Sequence, residues 1–84
     1  MKLRFIESAA QDLAYWKETN PKIVERIKSL IESIQATPFA GIGKPEALKH
    51  DLAGFWSRRI NKEHRLVYRI ERDEIVVIQC RFHY

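Results

Sequence analysis

The sequence predicts a single α+β domain, residues 1–84, in which an N-terminal strand and two helices pack on an antiparallel sheet. Three observations carry that expectation. Apolar residues in the first half recur at helical spacing, which marks amphipathic helices with one buried stripe. After residue 54 the chain breaks into three short runs rich in aromatic and β-branched residues. The links between those runs are too short for crossovers and must be hairpins.

Lys2-Leu3-Arg4-Phe5-Ile6 alternates polar and apolar side chains, a short strand signal. Ser8 is a suitable cap for a helix over Ala9–Thr19, with Leu13 and Trp16 facing inward. Asn20-Pro21 starts a second helix, since proline is preorganised for the first helical position. Ile23, Val24, Ile27, Leu30, Ile31 and Ile34 form its apolar stripe, and it stops before Pro38. Phe39–Gly54 reads as a loop region with turn residues at Gly41, Gly43, Pro45 and Gly54. Strands are expected at Phe55–Ile60, Leu66–Ile70 and Ile75–Phe82, joined by Asn61–His64 and by Arg72-Asp73.

Composition narrows the partners. A chain with 45% hydrophobic and 31% charged residues can fold rather than stay disordered. Cys80 is the only cysteine, so no internal disulfide forms. No apolar run reaches the about 20 residues needed to span a bilayer, and Met1–Phe5 does not open a signal peptide, so no membrane partner and a cytoplasmic location are expected. Net charge is +4, and residues 44–84 hold nine basic against six acidic side chains. That excess favours a polyanion, nucleic acid first, although mildly basic surfaces are common without one. His50, His64 and His83 with the distant Cys80 lack zinc-ligand spacing. Gly41-Ile42-Gly43-Lys44 lacks the spacing and the Ser/Thr of a phosphate loop. No helix-turn-helix pattern with a basic recognition helix is visible, which argues against direct DNA reading.

The last four residues, Arg81-Phe82-His83-Tyr84, are unusual for a chain end. One reading extends the final strand, with Phe82 and Tyr84 in the core and His83 merely exposed. The other is chemical. RNA cleavage needs a base for the 2′-OH, an acid for the leaving 5′ oxygen, and cations for the charge on phosphorus. Glu46 and His83 suit proton transfer, and arginine binds two phosphoryl oxygens while keeping its charge. Tyr84 can stack on a base. This set needs neither metal nor cofactor. The individual alternatives are ordinary: a solvated loop Glu46, edge charge at Arg58-Arg59, and surface decoration at Lys49-His50. Register adds an obstacle. A strict two-residue turn at Arg72-Asp73 places Arg65 opposite Cys80, on the other face from Arg81 and His83. Only a bulge or bend brings Arg65 and His83 together.

Four blocks then point one way: Thr37–Lys49, Gly54-Phe55-Trp56-Ser57-Arg58-Arg59-Ile60, Glu63-His64-Arg65-Leu66-Val67-Tyr68 and Cys80-Arg81-Phe82-His83-Tyr84. Together they resemble the YoeB family of bacterial toxins, within the RelE-like superfamily. Tyr15-Trp16 and the Ile23-Val24 helix agree in pattern. The resemblance implies a microbial-ribonuclease-like fold and an endoribonuclease that cuts mRNA in the A site of the 70S ribosome, stopping translation. It implies Glu46 as general base, His83 as general acid, Arg65 stabilising the phosphorane, and Arg59 and Lys49 as phosphate contacts, with Arg58 beside them. Tyr84 would orient the nucleotide. Phe82 departs from the tyrosine common in the family, removing one hydroxyl. The resemblance further implies a YefM-type antitoxin, promoter DNA bound only through the toxin–antitoxin complex, and a possible homodimer. A non-catalytic basic module that blocks translation by binding the ribosome or RNA is the competing expectation.

Overall fold

A computed structural model describes residues 1–83. The chain runs β1 (Lys2–Phe5), α1 (Glu7–Thr19), α2 (Pro21–Ala36), β2 (Glu46–Ala47), a single 3-10 turn (His50–Leu52), β3 (Trp56–Arg59), β4 (Arg65–Glu71) and β5 (Glu74–Gln79). The strands form one sheet in the order β1-β5-β4-β3-β2. This is the expected α+β architecture, with helices on one side of the sheet.

The helices follow their sequence patterns closely. α2 begins at Pro21 and buries Ile23, Ile27, Leu30 and Ile34. α1 buries Ala9 and Trp16. Its start differs from expectation: Glu7 is already helical and Ile6 holds the cap position. Ser8 instead donates its hydroxyl to the Ile78 carbonyl at 3.4 Å, tying α1 to β5. The stripes meet Ile60, Leu66, Tyr68, Ile75, Val77 and Cys80 from the sheet, making one continuous core.

The sheet is mixed rather than wholly antiparallel. β1 pairs parallel with β5, from Lys2 with Glu74 to Phe5 with Val77. Nearly the whole chain connects those two strands, and only such a long connection permits parallel pairing. β3–β4 and β4–β5 are the expected antiparallel hairpins. Arg72 and Asp73 both take positive φ, 50° and 61°, the two-residue turn whose twist suits a hairpin. The region expected to be loop contains β2, which pairs Glu46 with Ser57 and Ala47 with Trp56. Two residues after a proline are too few for an alternation signal, so this strand is not legible from local pattern.

Strand alternation then separates two faces. Arg58, Leu66 and Tyr68 turn toward the helices. Ser57, Arg59, Arg65 and Val67 turn toward the uncovered face.

Candidate active site

The uncovered face carries a cleft of about 210 Å³ lined by Lys44, Glu46, Ser57, Arg59, Arg65 and His83. Each wall has a structural origin. β2 sets Glu46 across from Ser57, and β3–β4 pairing sets Arg59 across from Arg65. Lys44 arrives on the glycine loop, where the Arg59 amide donates to the Gly43 carbonyl at 2.6 Å. Gly43 has φ +81° and lies so close to Leu30 and Arg58 that a Cβ would meet Leu30 Cδ2 at 2.7 Å. Only glycine permits that approach. Three cations thus line the cleft with one carboxylate and one imidazole. That balance attracts an anion.

Arg65 and His83 do converge, through the bulge that register required. β4 and β5 pair Tyr68 with Val77 but Val67 with Gln79, leaving Ile78 as the extra residue. Beyond Ile78 the faces of β5 are exchanged. Cys80 therefore packs into the core with no exposure, while His83 lines the cleft with Arg65. Arg65 itself is buried, its Nη1 donating to the carbonyls of Asn61 at 2.8 Å and His64 at 3.2 Å. Burial pushes the Cys80 thiol up to about 12, aided by the nearby Asp12 carboxylate. Its place is structural.

The tail does not continue the strand. β5 ends at Gln79, Phe82 takes φ 68°, and its ring is 57% exposed. Phe82 is thus outside the core, contrary to the strand-extension reading. Tyr84, assigned to nucleotide orientation, lies outside the described residues.

One sequence expectation needs correction. Arg58 was expected beside the phosphate, yet it is fully buried on the helix side of β3. Its guanidinium donates to Ser33 Oγ at 2.7 Å and to the carbonyls of Thr37 at 2.8 Å, Ala40 at 2.6 Å and Ile42 at 3.1 Å. Nε donates to Tyr68 Oη at 3.2 Å. Burial raises the Tyr68 hydroxyl, and Arg58 partly opposes that rise. The segment from Thr37 to Ile42 is therefore a cradle of carbonyls for a guanidinium, the opposite polarity from a phosphate loop's amides. Period-two alternation between Arg58 and Arg59 could have revealed the difference. Lys49 is exposed at the entry to the 3-10 turn and is not a wall of the cleft. Lys44 and Ser57 line it instead, and neither was singled out from sequence. Among the described residues, no cluster of three or more His, Cys, Asp or Glu side chains could hold a metal ion. No helix among them is long and apolar enough to cross a membrane.

Residues 5–84 match the model of the YoeB-like toxin of bacterial type II toxin–antitoxin systems. The chain belongs to the YoeB toxin family. The toxin YoeB of Escherichia coli strain K12 is 52% identical over 84 residues, covering 100% of both chains. A YoeB/ParE toxin structure from Agrobacterium tumefaciens superposes with a TM-score of 0.98 at 52% identity, covering 100% of each chain. A heterotetrameric YoeB–YefM toxin–antitoxin complex from Staphylococcus aureus matches at 0.93 and 41% identity, covering 100% of this chain and 98% of that one. The structure of a YoeB dimer from the same organism matches at 0.94 with the same identity and coverage. This chain is accordingly a toxin of a type II toxin–antitoxin system.

Proposed function

We propose that this YoeB-family toxin is a ribosome-dependent endoribonuclease that cleaves mRNA in the A site and stops translation. The observation that carries the proposal is the presence of Glu46 and His83 on one cleft whose other walls include Lys44, Arg59 and Arg65. In the proposed reaction Glu46 removes the 2′-OH proton, and the 2′ oxygen attacks the adjacent phosphorus. His83, protonated, gives its proton to the departing 5′ oxygen. The products are a 2′,3′-cyclic phosphate and a 5′-OH end. Arg65 and Arg59 hold the non-bridging oxygens as charge accumulates there. Lys44 adds a third cation to the cleft, and Lys49 keeps its proposed part as a further phosphate contact. Tyr84 keeps its proposed part in orienting the nucleotide.

The cleft acts on a strand that the ribosome holds extended, so its own walls need only grip phosphate and move protons. A cytoplasmic site of action follows from that substrate. An antitoxin of the YefM type is the proposed inhibitor, as in the Staphylococcus aureus complex, with promoter DNA bound through the antitoxin. Self-association is proposed by analogy with the dimer from that organism.

The test is cleavage of message on programmed 70S ribosomes by wild type, Glu46→Ala and His83→Gln. Each variant should lose about 10²–10⁴-fold in rate while keeping its fold. Deleting His83 and Tyr84 together should abolish cleavage. Undiminished cutting by these variants overturns the assigned roles. Stalled but intact message with wild type supports the non-catalytic binding module instead.

A further inference from the structure

We propose that His64 is a positioning residue for His83: its unprotonated Nδ1 locks the turn that delivers the proposed general acid to the cleft. The inference rests on the RNase reading for its consequence, but not for its structural part.

The tail beyond β5 has no strand partner to hold it, yet its backbone groups are taken up one after another. Asp12 Oδ2 accepts the Cys80 amide at 3.1 Å, and Trp16 Nε1 donates to the Cys80 carbonyl at 2.8 Å. Gln79 Nε2 donates to the Arg81 carbonyl at 2.8 Å. Phe82 is then gripped from both sides by two consecutive residues at the start of β4. Its amide donates to His64 Nδ1 at 2.7 Å, and its carbonyl accepts the Arg65 amide at 3.0 Å. That carbonyl belongs to the peptide leading into His83, so the grip sets where His83 begins.

Phe82 needs such a grip. At φ 68° it occupies a conformation that a residue with a Cβ adopts rarely, and surroundings must enforce it. The His64 ring is itself fixed, standing edge-on to Trp16 at 4.8 Å between centroids, and Trp16 is anchored on Cys80. A backbone N–H pointing at Nδ1 requires a lone pair there, so His64 serves as an acceptor and keeps any proton on Nε2. The Glu63-His64-Arg65 segment thus supplies a cleft cation from one residue and the tail's anchor from its neighbour.

The experiment uses two variants and one direct measurement on the full chain. His64→Asn keeps an acceptor at the place of Nδ1, while His64→Phe keeps a ring against Trp16 and removes the acceptor. In wild type, a through-hydrogen-bond coupling between the Phe82 amide nitrogen and His64 Nδ1 should be visible by NMR. In His64→Phe the Phe82 amide should exchange faster and His83 should gain backbone motion. Single-turnover cleavage at saturating ribosomes should fall by about 10²-fold with little change in KM, the effect of a misplaced group. His64→Asn should recover most of the rate. Three results overturn the proposal: no coupling in wild type, an unchanged tail and rate in His64→Phe, or equal impairment of both folded variants. Failure of wild type to cleave overturns the RNase reading alone, since the coupling and exchange measurements still decide the anchor.

Discussion

Arg59 stands directly across from Arg65 on adjacent antiparallel strands, two guanidinium groups facing one cleft. Like charges in direct cross-strand register destabilise a sheet. A fold keeps such a pair where an anion is to be held between them, and this relation separates binding from stability.

Arg59→Ala should leave thermal stability unchanged or slightly raised, because the Arg59 side chain is exposed and only its backbone is tied to Gly43 and Arg26. Arg65→Ala should cost about 1–2 kcal/mol, since Nη1 holds two backbone carbonyls. Inorganic sulfate should raise the wild-type Tm with the logarithm of its concentration once above Kd, and raise it less in either variant. Differential scanning fluorimetry across a sulfate titration measures all three. An equal sulfate shift in all proteins would place the anion elsewhere.

Arg58→Met should be among the most destabilising single changes in the chain. It strips donors from Ser33, Ile42, Thr37, Ala40 and Tyr68 in a buried setting. A loss of at least about 3 kcal/mol is expected from urea midpoints. Arg58→Lys should rescue little, because one ammonium cannot reproduce the planar fork.

Insertion of one alanine after Ile78 should separate register from side-chain identity. With one residue more, Gln79 takes the core-facing position and Cys80 leaves it, so both stability and cleavage should collapse. Ile78→Ala keeps the residue count and should retain cleavage, with only a modest fall in Tm. Comparable activity in the insertion and the substitution would refute the role given to the register.

Cys80 should resist alkylation at pH 8 in the native protein and react freely once unfolded. Its thiol is pushed up to about 12 from an ordinary value near 9.0. The sign is that of a raised native value. The unfolded chain loses this proton first, so the stabilisation is complete below pH 9 and declines toward pH 12. Urea melts at pH 8 and pH 10.5 should show a larger alkaline loss for wild type than for Cys80→Ala. Tyr68 titrates with the same sign in both proteins, so it cancels in the comparison.

Helices, hairpins and the basic half of the chain were legible because each is a local property. The stripe from Ile23 to Ile34 and the Asn20-Pro21 start are written at fixed spacing, and short links between strands admit only hairpins. Glu46, Arg59, Arg65 and His83 were picked out by chemistry and by resemblance, and the fold gathers all four around one cleft. Arg58 was misplaced because residue type says nothing about which side of a strand a cation occupies.

The tertiary structure alone decided the rest. β1 joins the sheet in parallel through pairing of Lys2–Phe5 with residues 74–77, a contact between distant segments that no local pattern encodes. The two-residue β2 has too little length to signal itself, yet it carries Glu46 to Ser57. Above all, one unpaired residue at position 78 determines which of Gln79 and Cys80 faces the core. Strand alternation has a period of two, so a single extra residue exchanges the faces of the residues that follow it in the strand. The sequence named the residues and the need for such a bulge. Only the packing of Cys80 beneath Trp16, and of Phe82 against His64, selected the register that brings His83 to Arg65.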